Sequence, residues 1–308
     1  MILLCGIPTE TPLALVREEL VRLSVPHLLF NQRRFAEADL EFEVAGGEVR
    51  GRLSLGGRSY RLEDVRGVYV RLMDDRHLPE LEGEPAGSPP RRRCRALHDA
   101  LSRWCEIAPA RVVNRLAPMG SNGSKPYQAQ LIREQGIGVP ETLITNDPQA
   151  VVDFRARHGR VIYKSISGVR SIVQTLGEED LERLEHIRWC PVQFQSYVEG
   201  TNVRVHTVGG EAFATAVTTT ATDYRYAHRQ RDGRTELAPF ELSDDLCQRC
   251  LRLAEALGLA FAGIDLKITP DGEVFCFEVN PSPAYSYYQA NTGQPIAAAV
   301  ARYLAGGA

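Results

Sequence analysis

No apolar run in this 308-residue chain reaches the ~20 residues that a membrane-crossing helix requires. The opening MILLCGIP is short and lacks the charged start of a signal peptide, so it reads as a β-strand. A charge excess is missing too. Lys and Arg number 36 against 39 Asp and Glu, for a net charge of -3. That balance points to no special partner, whereas a nucleic-acid binder usually shows a concentrated basic face. The one dense basic run, Arg91-Arg92-Arg93 with Arg95, follows GEPAGSPP and reads as a solvated loop leading into a helix. The seven cysteines are scattered and odd in number, as expected for free thiols in a reducing cytoplasm. Cys247 and Cys250 form the one close pair, and a second CxxC to complete a zinc site is lacking. Apolar spacing around them is that of an amphipathic helix over 244–259, so burial explains them better. Internal repeats and a GxxxxGK[ST] phosphate loop are also lacking.

What remains is an ordinary globular composition, 44% hydrophobic and 24% charged, at a length that suggests two or three lobes. The first third reads as an α/β unit. Strands are expected at 1–7, 26–31, 65–72 and 111–115, helices at 11–25 and 95–109, and a β-meander at 41–64 around Gly-Gly pairs. The Pro/Gly-rich stretch 78–93 reads as a surface loop. From Pro118 onward, a helix within 121–137, a strand at 139–147 and a helix at 147–159 are expected. Two strands joined by a Ser/Gly loop follow over 160–176, then a helix at 178–188. A third section holds a strand at 191–200, a hairpin turning at Gly209-Gly210, a polar loop at 222–236, an antiparallel pair turning at Pro270-Asp271-Gly272, and a helix at 295–306.

Chemistry concentrates in GIDLKITPDGEVFCFEVNPSP. Alternation sets Asp265 apart from Ile264 and Leu266, and it puts Glu278 and Asn280 on a common face. Such a hairpin can gather two carboxylates and an amide oxygen, which are hard ligands that suit magnesium. A solvated sheet face gives the same alternation. Two lysines add to it: Lys125 in SNGSKPY before a helix, and Lys164 ending the strand RVIYK. After Lys164, the small residues Ser167 and Gly168 let a backbone approach phosphates, with Arg170 and Ser171 in reach of the same anion. In QFQSYVEGTN the strand QSYV, 195–198, can supply the edge-reading groups of an adenine slot, with Glu199 or Asn202 for the ribose hydroxyls, and a plain sheet strand reads the same way. The loop DYRYAHRQRDGR carries Asp223, Arg225, His228, Arg229 and Arg231, and a solvated loop explains most of these equally well.

In this order and spacing, these stretches resemble the ATP-grasp superfamily, and within it the RimK-type and microviridin-type carboxylate–amine ligases. The resemblance covers residues 113–305 well, and E-x-N-P at Glu278 to Pro281 is its most specific part. It implies an α/β (α+β) chain with an N-terminal α/β domain at 1–112, a central lid domain at 113–193 and a C-terminal antiparallel-sheet domain at 194–308. ATP would lie between two antiparallel sheets. Lys125 and Lys164 would meet its phosphates, Gln195, Tyr197 and Val198 its adenine, and Glu199 and Asn202 its ribose. Asp265, Glu278 and Asn280 match the ligands of two Mg2+ ions, for which Mn2+ can substitute. Arg204 and Arg225 match arginines facing the phosphates or the acyl acceptor. The implied reaction activates a carboxylate as an acyl phosphate and joins it to an amine or hydroxyl, on a peptide or a small metabolite. The alternatives are a small-molecule kinase on the same fold and a nucleotide-binding regulator. A symmetric homodimer is the commonest oligomeric expectation. The chain departs from the microviridin-type pattern after NPSP, where Tyr285, Tyr287 and Tyr288 replace Gly and tryptophans. Those tyrosines, and Arg71 as a contact for a leader peptide, are the places to look for substrate.

Overall fold

The computed structural model describes residues 1–166, 173–219 and 235–307. Strands His27–Asn31, Ile2–Gly6, Gly67–Arg71 and Arg111–Val113 lie side by side, in that order, as a parallel sheet. Ile2–Gly6 is buried throughout because both faces of this sheet are covered. On one face Leu3, Cys5 and Val68 meet Leu97, Leu101 and Trp104 of the helix Pro89–Ile107. On the other, Ile2 and Leu4 meet Leu13 and Val16 of the helix Thr11–Arg22. Ala297, Val300 and Leu304 of the last helix, Ile296–Ala305, join that second core. The expected meander is present as Ala38–Ala45, Glu48–Leu55 and Arg58–Arg61.

The basic run is helical rather than a loop. Ser88 caps the helix and Pro89 opens it, which suits a position whose N–H has no helical partner. Arg91 and Arg95 then close on Asp75 at 3.3 and 3.1 Å, and Arg93 reaches Asp39 at 3.0 Å.

A second, antiparallel sheet runs Gln174–Thr175, Val161–Ser165, Val192–Ser196, Thr142–Thr145. Phe194 and Val161 pack under it against Val151 and Phe154 of the helix Pro148–His158. The expected helix at 178–188 divides into a short α-helix, Glu178–Leu181, and a 3-10 helix, Leu184–Trp189.

The third sheet has the order Thr235–Phe240, Glu211–Thr219, Thr201–Val208, Phe261–Ile268, Val274–Asn280, all antiparallel. Its apolar face, with Val203, Val205, Ile264 and Val279, buries Leu246, Cys250 and Leu253 of the helix Asp244–Ala256. Burial pushes the Cys250 thiol up to about 12, as befits a packing residue. All seven cysteines are free. Thr235–Phe240 largely falls outside the expected elements, since Pro239 and its polar neighbours disguise an edge strand. The helix Ser286–Thr292 was likewise not expected.

Candidate active site

The hairpin of Phe261–Ile268 and Val274–Asn280 holds the candidate metal ligands. From the turn inward, Ile268 faces Val274 and Leu266 faces Cys276. Continued without interruption, that register would set Phe277 opposite Asp265. Instead the register shifts between Asp265 and Leu266, and Asp265 faces Glu278 while Gly263 faces Asn280. The bulge absorbs Phe277 and moves Glu278 and Asn280 onto Asp265's face.

On the neighbouring strand, Arg204 is the cross-strand partner of Asp265. Its Nη1 lies 2.5 Å from Asp265 Oδ1. Lys125, at the start of the helix Lys125–Glu134, places Nζ 3.3 Å from Glu278 Oε1. The Asn280 Oδ1 accepts a hydrogen bond from the Ser282 amide at 2.9 Å. Arg204, Asp265, Glu278, Asn280 and Lys125 therefore converge. Asn202 lies on the same face as Arg204, opposite Lys267.

Several supports were not legible in the sequence. Gly263 gives Arg204 room, since a Cβ there would sit 2.3 Å from Arg204 Nη2. Gln128 makes two bonds to the backbone of Val279, 2.9 and 2.8 Å, and so serves the open edge of the last strand. Because Gln128 is three residues after Lys125, these bonds also fix where Lys125 reaches. Asn114 donates to the carbonyls of Phe261 and Pro281, both at 2.6 Å, and accepts from the Phe261 amide at 3.1 Å. It thereby ties the start of the hairpin to its end.

His206 completes the row, buried against Phe261 and Tyr288. Burial, with the Arg204 charge beside it, holds its imidazole well below the ordinary value, so it is neutral. The Arg204 guanidinium lies 5.7 Å from the Tyr288 ring centroid. The three tyrosines thus divide. Tyr285 is core, with its hydroxyl on the Pro12 carbonyl at 2.7 Å, and it does not face a substrate. Tyr288 braces Arg204 and His206, and Tyr287 is exposed. Arg71 donates to Ser282 Oγ at 3.2 Å and to the Pro283 carbonyl at 3.4 Å. That places it on the turn after the candidate metal ligands, paired with Glu10.

Lys164 is buried on the second sheet, with Gln193 as its cross-strand partner and Gln195 on the same face. Gln195 donates to Thr142 Oγ1 at 2.9 Å. Tyr197, Val198 and Glu199 continue from that strand and line a cavity of about 500 Å³ with Glu141, Thr269 and Phe275. Arg160 stacks 3.6 Å over the Tyr197 ring. Lys267 donates to the Val198 carbonyl at 3.0 Å, and burial pulls its ammonium below the usual range. Ser167, Gly168, Arg170, Ser171, Asp223, Arg225, His228, Arg229 and Arg231 lie outside the described residues. Among the described residues no cluster of three His, Cys, Asp or Glu side chains is present. The hairpin instead offers two carboxylates and an amide.

Residues 123–304 match the RimK-like ATP-grasp domain, more than half of the chain. The chain belongs to the RimK-like ATP-grasp family. The resemblance drawn from the motifs is therefore borne out. A probable alpha-L-glutamate ligase of Photobacterium profundum is 25% identical over 203 residues, 62% of this chain and 66% of that protein. The chain thus spans just under two thirds of that relative's length. The ATP-grasp ligase PsnB, solved with a phosphomimetic variant of a minimal precursor, Mg and ADP, superposes with a TM-score of 0.78. It is 25% identical and covers 98% of this RimK-like chain and 97% of its own. Macrocyclase MdnC from Microcystis aeruginosa MRC, bound with precursor peptide MdnA, shares the fold at TM-score 0.78 and 23% identity over 99% of each chain.

Proposed function

We propose that this RimK-like chain activates a carboxylate of a peptide as an acyl phosphate and links it to an amine or hydroxyl of the same peptide. The class of reaction follows from the family and the ligases it resembles: the chain is an ATP-dependent carboxylate–amine ligase. The observation that carries the site assignment is the row Arg204–Asp265–Glu278–Lys125, in which two carboxylates suited to a metal ion lie between two cations suited to phosphate. A peptide substrate is favoured by the likeness, at 25% identity over 98% of this chain, to PsnB, a ligase solved with a variant of a minimal precursor.

The residues fit a hard divalent cation. Asp265 and Glu278 supply carboxylates, and the Asn280 Oδ1 keeps a second lone pair after accepting from Ser282. We read the site as holding two magnesium ions, which manganese can replace. When bound, they neutralise phosphate charge. Lys125 and Lys164 would hold the phosphates, and Arg204 and Arg225 the transferred phosphoryl group or the acyl acceptor. Tyr197 and Val198 would bound the base, with Glu199 and Asn202 at the ribose. In-line transfer depends on this positioning and charge more than on covalent chemistry by the protein. The acyl phosphate must be kept from water, and we assign that task to a lid domain at 113–193.

The test is peptide-dependent ADP release over candidate precursor peptides, including any that is encoded beside the gene. Asp265→Asn and Glu278→Gln should each reduce it by roughly 100-fold or more, the scale of losing one preorganised charge group. Circular dichroism should show the fold retained. Normal turnover in either variant would overturn the site assignment.

A further inference from the structure

We infer that Lys125 and Arg204 are exchange partners for the metal ligands, so that the protein binds a divalent ion weakly alone and much more tightly together with a triphosphate. The inference rests on Asp265, Glu278 and Asn280 being the metal site.

The two carboxylates that would bind the ion already have protein cations at ion-pair distance. Arg204 Nη1 is 2.5 Å from Asp265, and Lys125 Nζ is 3.3 Å from Glu278. All four side chains are largely withdrawn from water, with exposures of 6% and 15% for the first pair and 13% and 19% for the second. Water therefore does little to weaken the pairs. The cations are also not loosely placed. Arg204 lies across Gly263, where a side chain would exclude it, and is braced by Tyr288. Lys125 is set by the bonds of Gln128 to the Val279 backbone.

A divalent ion arriving alone has to displace both pairs and then lie beside the two positive charges it displaced. A triphosphate removes that obstacle. Its oxygens accept from Lys125 and Arg204, and the carboxylates are released to the ion. Each ligand improves the site for the other, and thermodynamic linkage makes the effect reciprocal. The same exchange runs backwards when the triphosphate loses its terminal group. Arg204 and Lys125 would then return to Asp265 and Glu278, restoring the pairs that weaken binding of an ion. Without this coupling, free cellular magnesium would occupy the hairpin and repel the two cations that the phosphates need.

Binding of Mn2+ to the purified full-length chain tests this without reference to turnover. Water-proton relaxation separates protein-bound Mn2+ from the Mn2+–nucleotide complex in solution. The unmodified protein should bind Mn2+ weakly by itself, and more tightly by on the order of 10- to 100-fold with a non-hydrolysable ATP analogue. Lys125→Met and Arg204→Met should each bind Mn2+ alone about 10-fold more tightly than the parent, with a correspondingly smaller gain from the analogue. Lys125→Arg, which keeps the charge, should keep the weak binding of Mn2+ alone, and melting curves confirm that each variant is folded. Equal Mn2+ affinity with and without analogue in the parent, or Met variants no tighter than the parent, would overturn the exchange. Asp265→Asn and Glu278→Gln separate the two ideas: if they keep analogue-dependent Mn2+ binding, the metal-site reading itself has failed.

Discussion

Gly263 is small for reasons of space, since its backbone is not in the left-handed region. A methyl group there would meet Arg204 Nη2 at 2.3 Å and Pro283 Cβ at 2.8 Å. Gly263→Ala should push the guanidinium away from Asp265. Single-turnover measurements should show the chemical step slowed by roughly 100-fold, the scale of a lost charge donor. Equilibrium binding of the ATP analogue should change little by comparison, and an unchanged chemical step would contradict this role for the glycine. His206 gives a second prediction at the same scale. Neither ring nitrogen has a hydrogen-bond partner among the described residues, and the folded imidazole titrates well below its unfolded value. Above the unfolded value, about 6.5, both states are neutral and stability is fully present. As pH falls below it, the unfolded chain takes up a proton that the folded chain refuses, so stability falls by about 1.4 kcal/mol per pH unit. His98 is depressed in the same direction by burial and adds to the slope. Urea unfolding between pH 7.5 and 5.5 should show this loss, and His206→Phe should remove its share. An unaltered slope in the variant would mean that His206 is protonated in the fold.

At the level of elements, the site depends on how a hairpin is held. Asn114, from the end of the parallel sheet, bonds the Phe261 backbone and the Pro281 carbonyl. Asn114→Ala leaves three buried backbone groups short of a partner, so a loss of about 2–4 kcal/mol is expected in urea unfolding. A loss well under 1 kcal/mol would show that the hairpin ends are held by other means. This device also marks the limit of sequence reading. The alternation of VFCFEVN shows that Glu278 and Asn280 share a face, and the Pro270-Asp271-Gly272 turn shows that their strand pairs with Asp265's. Neither shows that Asp265 shares that face. The bulge at Phe277 decides it, and a bulge leaves little local signature in an apolar stretch. Gln128 and Asn114 were illegible for a related reason. A polar residue on a helix or at a strand end looks solvated until its long-range partner is known. The basic run misled in the opposite direction, because a Pro-Pro pair after Gly-Ser suggests a loop and equally well opens a capped helix.

For the whole molecule, the last helix closes the core that the first strand begins, with Leu304 and Val300 packed against Ile2 and Leu4. Arg71 on the Ser282–Pro283 turn and Tyr285 on Pro12 bind the same two regions beside the metal hairpin. The N-terminal sheet therefore borders the hairpin that carries Asp265 and Glu278. The measurement that tests this account most directly is a mass balance on the complete reaction. The purified chain is incubated with Mg-ATP and the peptide that supports ADP release. ADP, phosphate and product mass are then followed together. The account predicts a peptide lighter by one water for each ADP formed, with free phosphate in equal amount. A peptide that gains a phosphoryl group and keeps it would contradict the ligase reading and make the chain a kinase.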